Sequence, residues 1–282
     1  MKAIRLGQTE LSVSALGFGG IPIQRLSEQA AVGVVTHCLD LGITFLDTAN
    51  GYTTSERRIG KAICGRREGL VLATKTQARD AKGVSQHLAL SLERLGVDCI
   101  DLYQFHCVSS DEEYEKVVAP GGPLEVVRDA RASGQVKHIG LTSHSLEIAL
   151  KAVRSGHFET IMFPFNFIAS EATQELIPLA LENDVGFIAM KPLAGGALHD
   201  AILAFKYLRQ LPLVLPIPGI ERAEEIEEIV AIMEGSAEMT SEEQTAMERV
   251  RAELGNRFCR RCGYCQPCPQ GVSIQTLMIL DS

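Results

Sequence analysis

Three features that are missing from this 282-residue sequence limit what the protein can be. Basic residues are not in excess: the formal net charge is −8, which argues against a general nucleic-acid-binding protein. The opening MKAIRLGQTELSVS lacks the apolar stretch of a signal peptide. The apolar run LPLVLPIPGI near residue 215 is too short and too rich in proline to cross a membrane. We therefore expect a cytoplasmic protein with neither a nucleic-acid nor a membrane partner.

Short apolar segments with strong β propensity recur along the chain, and helical patterns lie between them. One helical pattern places Val84, Leu88, Leu92 and Leu95 on one face and ends at Gly96. Continuous apolar runs are typical of parallel strands that are buried on both faces. The eight runs are ALGFGG (15–20), ITFLDT (43–48), GLVLATK (69–75), CIDLYQFH (99–106), VKHIGLTS (136–143), ETIMFPFN (159–166), VGFIAMK (185–191) and LVLPIPG (213–219).

This alternation of strands and helices predicts a (β/α)8 barrel, or TIM barrel, with a short cysteine-rich appendix at its C-terminal end. A doubly wound sheet is the alternative, and it usually carries a GxGxxG loop after its first strand. The corresponding segment here, GFGGIP (17–22), lacks that spacing. The missing glycine pattern therefore favours the barrel.

Polar residues with complementary chemistry follow three consecutive predicted strands. Asp47 and Tyr52 come after the second strand, Lys75 closes the third, and His106 closes the fourth. The carboxyl ends of the strands are where barrel enzymes hold their active sites. A lysine ammonium lowers the pKa of a nearby phenol, a carboxylate keeps that lysine charged, and a neutral histidine can orient a substrate oxygen. The set predicts a general acid suited to carbonyl reduction.

Each of these residues also has an ordinary structural explanation. Asp47 can cap a helix, Lys75 can be a solvated strand end, and His106 can be a hydrogen-bonded core residue. Tyr52 can be a loop aromatic. Four such residues at consecutive barrel positions favour the catalytic interpretation over four coincidences.

Several stretches resemble the aldo-keto reductase family. They are RLGQTELSVSALGFGG (5–20), FLDTANGYTTSERRIGKAI (45–63), LATKTQ (72–77) and DLYQFHCV (101–108), and they occur in the family's order. The resemblance covers about residues 1–235. It implies a barrel that binds a nicotinamide dinucleotide in extended form and reduces an aldehyde or ketone, or runs the reverse oxidation. It also implies that Tyr52 is the proton donor, assisted by Lys75, Asp47 and His106.

The resemblance also implies a set of cofactor-binding residues, although several differ from the usual ones. Thr142 and Ser143 take the places of a Ser-Asn pair, Met162 replaces a common glutamine, and Met190 stands where an aromatic ring often stacks on the nicotinamide. Plain core packing is the alternative for the two methionines. The full set is Thr142, Ser143, Asn166, Met190, Pro192, Leu193, Gly219, Arg222, Glu225 and Glu228.

The segment IPGIERAEEIEEIV (217–230) resembles the part of the family that holds the adenosine phosphate. NADPH-preferring members supply lysine and arginine there, whereas this chain has Gly219 and Glu225. A carboxylate facing a 2′-phosphate is repulsive, and Arg222 is the nearby cation. The cofactor is therefore expected to be NAD(H) or NADP(H), with a preference for NAD(H). A solvated helix face is the alternative explanation for the glutamates.

Four cysteines cluster near the end of the chain, and a proline follows the last. Three consecutive CxxC steps resemble a bacterial ferredoxin run, which ends C-x3-C-P where this one ends C-x2-C-P. Since cytoplasmic thiols stay reduced, we expect a [4Fe–4S] cluster, with tetrahedral zinc as the alternative. Arg257, Arg260 and Arg261 would offset the anionic cluster. The metal ligands are predicted to be Cys259, Cys262, Cys265 and Cys268, or the first three together with a fourth ligand from elsewhere.

The chain is expected to divide into a barrel (1–240) and a helix with the cysteine segment (241–282). Two alternative functions are consistent with the sequence. The first is a nicotinamide-dependent reductase acting on a small carbonyl compound. The second is a nucleotide-binding redox sensor, or an electron-transfer protein with a redox protein partner, that turns over little. The complete set of four strand-end residues favours the first, and the altered methionine positions with the cysteine segment favour the second.

Overall fold

Eight parallel strands form the centre of the molecule in a computed structural model, which describes residues 1–211, 213–254, 268–274 and 277. Neighbouring strands in the sheet follow one another in the sequence, which is the order of a barrel and not of a doubly wound sheet. The strands are β3 (Phe18–Gly19), β4 (Phe45–Asp47), β5 (Val71–Thr76), β6 (Ile100–Phe105), β7 (Val136–Thr142), β8 (Thr160–Pro164), β9 (Gly186–Met190) and β10 (Val214–Ile217).

Helices connect the strands and cover the outside of the sheet, which confirms the predicted (β/α)8 barrel. The helix predicted to end at Gly96 does so, since Gly96 adopts the left-handed conformation with φ of 66°. The helices are α1 (Glu28–Asp40), α2 (Ser55–Ala62), α3 (Ala81–Leu95), α4 (Asp111–Val118), α5 (Pro123–Ala132), α6 (Leu146–Arg154), α7 (Leu176–Glu182), α8 (Ala201–Arg209), α9 (Ala223–Glu234) and α10 (Ser241–Leu254).

Glycine closes the barrel between the first and last strands of the sheet. Gly19 and Gly219 form a parallel bridge, and the Gly19 N–H donates to the Pro218 carbonyl at 2.8 Å. A Cβ atom on Gly19 would lie 2.8 Å from the carbonyl oxygens of Ile217 and Pro218. A residue with a side chain at position 19 would therefore force the two strands apart.

The barrel interior is filled by one apolar layer, and a second layer lies between the strands and the helices. Met162 is buried in the interior layer among Phe45, Leu102 and Ile188, and Met190 is half-buried against the same layer. The geometry thus gives Met162 the role of core packing that the sequence left open.

An antiparallel hairpin closes the base of the barrel. Its strands are β1 (Ala3–Arg5) and β2 (Ser12–Ser14), and the fully buried Leu6 between them packs into the interior layer. A Cβ atom on Gly186, the first residue of β9, would lie 2.8 Å from Cγ of Leu6. The base is therefore plugged by apolar packing, and the opposite end of the strands is left to hold a site.

The predicted C-terminal segment is described only in part. Helix α10 precedes it, and Cys268 is half-buried, whereas Cys259, Cys262 and Cys265 lie outside the described residues. Among the residues that the structure does describe, no group of three or more histidine, cysteine, aspartate or glutamate side chains could hold a metal ion. Within those same ranges, no helix has both the length and the apolar character needed to cross a lipid bilayer.

Candidate active site

Consecutive strands bring the four predicted catalytic residues to one end of the barrel. Asp47 is the last residue of β4, Lys75 lies one residue before the end of β5, and His106 directly follows β6. Tyr52 lies in the loop between β4 and α2. Because β4, β5 and β6 pair in parallel, their carboxyl ends meet at the same edge of the barrel.

A buried ion pair lies at the centre of this site. Lys75 Nζ is 2.6 Å from Asp47 Oδ2 and donates to the Thr48 carbonyl at 2.6 Å, while Gln104 Nε2 donates to Asp47 Oδ1 at 3.2 Å. The two charged side chains are only 1% and 4% exposed. Burial raises the pKa of Asp47 against the opposing pull of Lys75 and Gln104. Burial also disfavours the lysine charge, but the Asp47 carboxylate outweighs it and raises the pKa of Lys75.

The Tyr52 phenol lies directly beside this ion pair. Lys75 Nζ is 5.1 Å from the centre of the tyrosine ring, and the His106 ring packs edge-on against it with 5.5 Å between ring centres. Burial raises the pKa of Tyr52, and the Lys75 charge only partly opposes that effect. The sequence predicted a lowered pKa for the phenol. In the folded chain this pKa is raised instead, because desolvation has a larger effect than the Lys75 charge. Tyr52 is therefore firmly protonated, as a proton donor must be.

His106 is held neutral next to the phenol. Burial lowers its pKa to about 3, and the nearby charges of Lys75, His144 and Arg79 act in the same direction. Its backbone carbonyl accepts from Arg79 Nη2 at 2.7 Å. Within the described part of the chain, the buried Nδ1 atom has no hydrogen-bond partner. A neutral imidazole can donate or accept a hydrogen bond, so the ring can orient a ligand that reaches its other nitrogen.

The loop that carries Tyr52 is fixed by residues that the sequence analysis missed. Asn50 N–H donates to the Lys75 carbonyl at 3.0 Å, and the Asn50 carbonyl accepts from Arg94 at 3.1 Å. Arg94 also contacts the buried carboxylate of Glu56 at 3.3 Å. Gln104, which bonds Asp47, could have been found in the sequence as a polar residue within the apolar run CIDLYQFH. Arg94 and Glu56 could not, because their contact joins α3 to α2 and leaves no local pattern.

Two predicted cofactor-binding residues lie at the same end of the barrel, where β7 finishes. Thr142 Oγ1 accepts from the Cys107 N–H at 2.8 Å, so it links the ends of β6 and β7. Ser143 Oγ accepts from the Ser145 N–H at 3.0 Å and donates to the Ser145 carbonyl at 3.1 Å. Both side chains are buried, and in this structure both shape the loop on which they lie.

Asn166 has a similar organising position after β8. Its Oδ1 atom accepts from the N–H groups of Ile168 at 2.9 Å and Ala169 at 2.8 Å, and its Nδ2 donates to the Lys191 carbonyl at 3.0 Å. The side chain therefore joins the loop after β8 to the loop after β9. Pro192 on the second loop is buried, while Met190 and Leu193 are half-buried.

The predicted phosphate-end residues lie at the start of α9. Gly219 is exposed at the closure of the barrel, and Glu228 is exposed on the helix. Glu225 accepts from the backbone N–H groups of Glu221 at 2.9 Å and Arg222 at 3.2 Å, and its other oxygen lies 2.9 Å from Arg222 Nε. Burial opposes ionisation, but these hydrogen bonds and the Arg222 charge lower the pKa of Glu225. A carboxylate thus already caps the N-terminus of this helix.

Comparison with known proteins identifies the class to which this barrel and its site belong. Residues 15–204 match the model of the aldo/keto reductase family, and the chain belongs to that family. This finding confirms the resemblance seen in the sequence motifs.

Among curated proteins, "Aldo-keto reductase str7" of Strobilurus tenacellus is 34% identical over 219 residues, which cover 69% of this chain and 62% of that protein. "Aldo-keto reductase yakc [NADP(+)]" of Schizosaccharomyces pombe is 30% identical over 213 residues, which cover 67% and 61%. The chain thus spans less than two thirds of the length of these two relatives.

Solved structures share the fold. An aldo-keto reductase from Bacillus halodurans in its holo form superposes with a TM-score of 0.78 at 24% identity, covering 89% of this chain and 96% of that one. An aldo/keto reductase from Klebsiella pneumoniae in complex with NADP and acetate gives 0.74 at 22% identity, covering 89% and 95%. At these identities the likeness establishes the barrel.

The neutral state of His106 has a consequence for stability in acid. Its folded pKa of about 3 lies below the unfolded value of about 6.5, so the unfolded chain binds more protons and stability falls as the pH drops from 6.5 towards 3. Between pH 7 and pH 5 this one group should cost about 2 kcal/mol. We expect His106→Gln to lose correspondingly less stability over that interval than the wild type. Urea unfolding of both proteins at the two pH values tests this, and parallel losses would contradict it.

Proposed function

We propose that this protein reduces an aldehyde or ketone to an alcohol with a nicotinamide cofactor, or runs the reverse oxidation. The observation that carries the proposal is the protonated Tyr52 phenol beside the Lys75–Asp47 ion pair and the neutral His106. A bound reduced nicotinamide would supply the hydride to the carbonyl carbon. Reduction then requires one proton on the carbonyl oxygen, which is the proton that Tyr52 holds.

Each side chain around Tyr52 has a separate role in this proton transfer. As negative charge develops on the carbonyl oxygen, the phenol donates its proton and becomes a phenolate. The Lys75 ammonium stabilises the phenolate, and Asp47 keeps Lys75 charged and in place. His106 is neutral, so it can hydrogen-bond the carbonyl oxygen without competing as an acid.

The remaining strand ends fit an extended dinucleotide. The buried side chains of Thr142, Ser143 and Asn166 shape the loops at this end of the barrel, and Met190 offers a half-buried apolar surface to a nicotinamide ring. On the loop after β9, Gly195 has open space where a Cβ would lie, so a ligand can approach its backbone closely. The S. pombe relative is named for NADP(+), which supports a nicotinamide dinucleotide as the cofactor.

Replacing Tyr52 by Phe should remove the proton donor and leave cofactor binding nearly intact. Loss of a general acid lowers the rate by roughly 10²–10⁴-fold. Single-turnover oxidation of bound reduced cofactor by a reactive dicarbonyl measures this step without the substrate being known. Tyr114→Phe is the matched control, because Tyr114 is buried on α4 away from the site. Turnover of Tyr52→Phe at the wild-type rate would remove Tyr52 from the mechanism, and no oxidation by the wild type would favour the redox-sensor function.

The preference between the two cofactors is proposed to lean towards NAD(H). Arg222 is paired with Glu225, and Glu225 holds backbone N–H groups at the start of α9 that could otherwise bind a phosphate. A 2′-phosphate brought to this position meets a carboxylate. The name of the S. pombe relative points towards NADP(+), so the preference of this chain has to be measured.

Fluorescence titration of the wild type should therefore show NADH binding at least as tightly as NADPH. Glu225→Gln keeps an oxygen for the helix cap but removes the charge, and it should tighten NADPH binding by roughly tenfold, equal to about 1.4 kcal/mol. Glu224→Gln is the control, since Glu224 is exposed beside it on the same helix. NADPH binding more than tenfold tighter than NADH in the wild type would overturn the preference.

The cysteine segment is proposed to hold a [4Fe–4S] cluster, with zinc as the alternative metal. The support is the regular spacing of its four cysteines and the arginines among and before them. Hydride transfer needs no one-electron carrier, so the cluster would be structural, sensory or a contact to a redox protein partner. On this view residues 241–282 form an appendix that follows the barrel (1–240), and the protein is proposed to be cytoplasmic, where thiols stay reduced.

Protein purified without air should contain about four irons per chain and absorb broadly near 400 nm. Cys262→Ala should bleach that absorption while the barrel stays folded. Cys64→Ala should not, because Cys64 is an exposed barrel cysteine. Stoichiometric zinc without iron in such protein would reject the cluster and establish the alternative.

A further inference from the structure

Helix α10 contacts the loop that carries Asn166. This loop, the Asn166 loop, comprises residues 165–173 after β8. Arg251, in the last turn of α10, donates from Nε to the Phe167 carbonyl at 2.8 Å. Its guanidinium also lies 6.0 Å from the centre of the Phe167 ring. Arg251 is 84 residues distant from Phe167 in the sequence, so the contact is made by the fold and not by local structure.

A tyrosine on α8 completes the contact. The Arg251 guanidinium lies 5.5 Å from the centre of the Tyr207 ring. The same ring packs against Phe165 with 5.9 Å between ring centres. Arg251 and Tyr207 together therefore hold the Asn166 loop at its start and in its middle.

Asn166 lies between the two phenylalanines that are held. Its amide fixes the following residues and reaches the Lys191 carbonyl on the loop after β9, and the Phe165 N–H donates to the Met190 carbonyl at 3.0 Å. The Asn166 loop and the loop after β9 are thus joined by two hydrogen bonds. A displacement of Phe167 would be passed on to Met190, where the proposed nicotinamide site lies.

The attachment of α10 to the barrel does not depend on Arg251. Lys206 of α8 and Glu243 of α10 form an ion pair at 2.6 Å, and Met247 of α10 is buried against the apolar layer. Arg251 itself is 30% exposed and also pairs with Glu248. Removing the Arg251 side chain should therefore leave α10 docked and release only the Asn166 loop.

We propose that Arg251 is a positioning residue through which the C-terminal helix α10 sets the cofactor affinity of the barrel. The inference rests on the proposed function in so far as the ligand is a nicotinamide dinucleotide. Arg251 keeps the Asn166 loop in the conformation that shapes the proposed cofactor site. The loop is then already ordered in the free protein, so ordering it does not reduce the affinity for the cofactor. It does not contact the reacting atoms.

The test compares Arg251→Ala with Arg249→Ala, an exposed arginine on the same helix. Because Arg251→Ala removes a charge-assisted hydrogen bond that orders the loop, it should weaken NADH and NADPH binding by roughly tenfold or more, equal to about 1.4 kcal/mol. The KM for the cofactor should rise more than kcat falls. Arg251→Lys, which keeps the charge over the rings but lacks the Nε–H donor, should lie between the two. Arg249→Ala should bind like the wild type.

Hydrogen exchange of the ligand-free proteins gives a readout that does not depend on the proposed function. In Arg251→Ala the amides of residues 165–173 should exchange faster, while those of α9 should not change. Unchanged affinity together with unchanged exchange in the loop would overturn the proposal. If Arg251→Ala fails to fold, Arg251→Met, which keeps a long apolar side chain but removes the guanidinium, replaces it with the same expectations. If the wild type binds neither cofactor, the proposed function fails, and the exchange data still decide whether Arg251 holds the loop.

Discussion

The buried ion pair of Lys75 and Asp47 is the interaction on which the rest of the site depends. Neither charge is stable in the barrel interior without the other, because the free energy needed to remove water from an isolated ion exceeds the free energy gained by packing it. The pair is satisfied only when β4, β5 and β6 stand in register, since Gln104 and the Thr48 carbonyl complete it. The requirement to neutralise one charge thereby fixes the spacing of three strand ends.

Burial also sets the protonation of the residues around that pair, and it does so in opposite directions. It raises the pKa of the Tyr52 phenol and lowers the pKa of His106, because in each case the uncharged form is favoured. A protonated phenol and a neutral imidazole are the forms that donation to a carbonyl oxygen requires. Lys75 is then the one group in this set that is charged and close enough to stabilise the phenolate left after proton transfer.

Most of the barrel and its four strand-end residues could be predicted from the sequence, because both produce patterns among residues that are close in the sequence. Apolar runs marked the strands, and a charged or ionisable residue at the end of such a run stood out. The supporting contacts were not predictable, since Arg94 reaches Asn50 across 44 residues and Arg251 reaches Phe167 across 84. The first strand was predicted over 15–20 but pairs only at Phe18–Gly19, because the barrel closes there through a single bridge.

The hairpin at the base of the barrel imposes an order of assembly. Leu6 is synthesised well before β9, yet it packs against Gly186, and Arg5 pairs with Asp184 at 2.6 Å. The hairpin therefore has no surface to pack against until β9 has been synthesised. Contacts between residues so distant in the sequence form slowly. A segment that is synthesised before β9 is thus among the last to reach its native contacts. A bulky fusion that held the first residues away from the base would leave the barrel interior open to water, however well the strands themselves had paired.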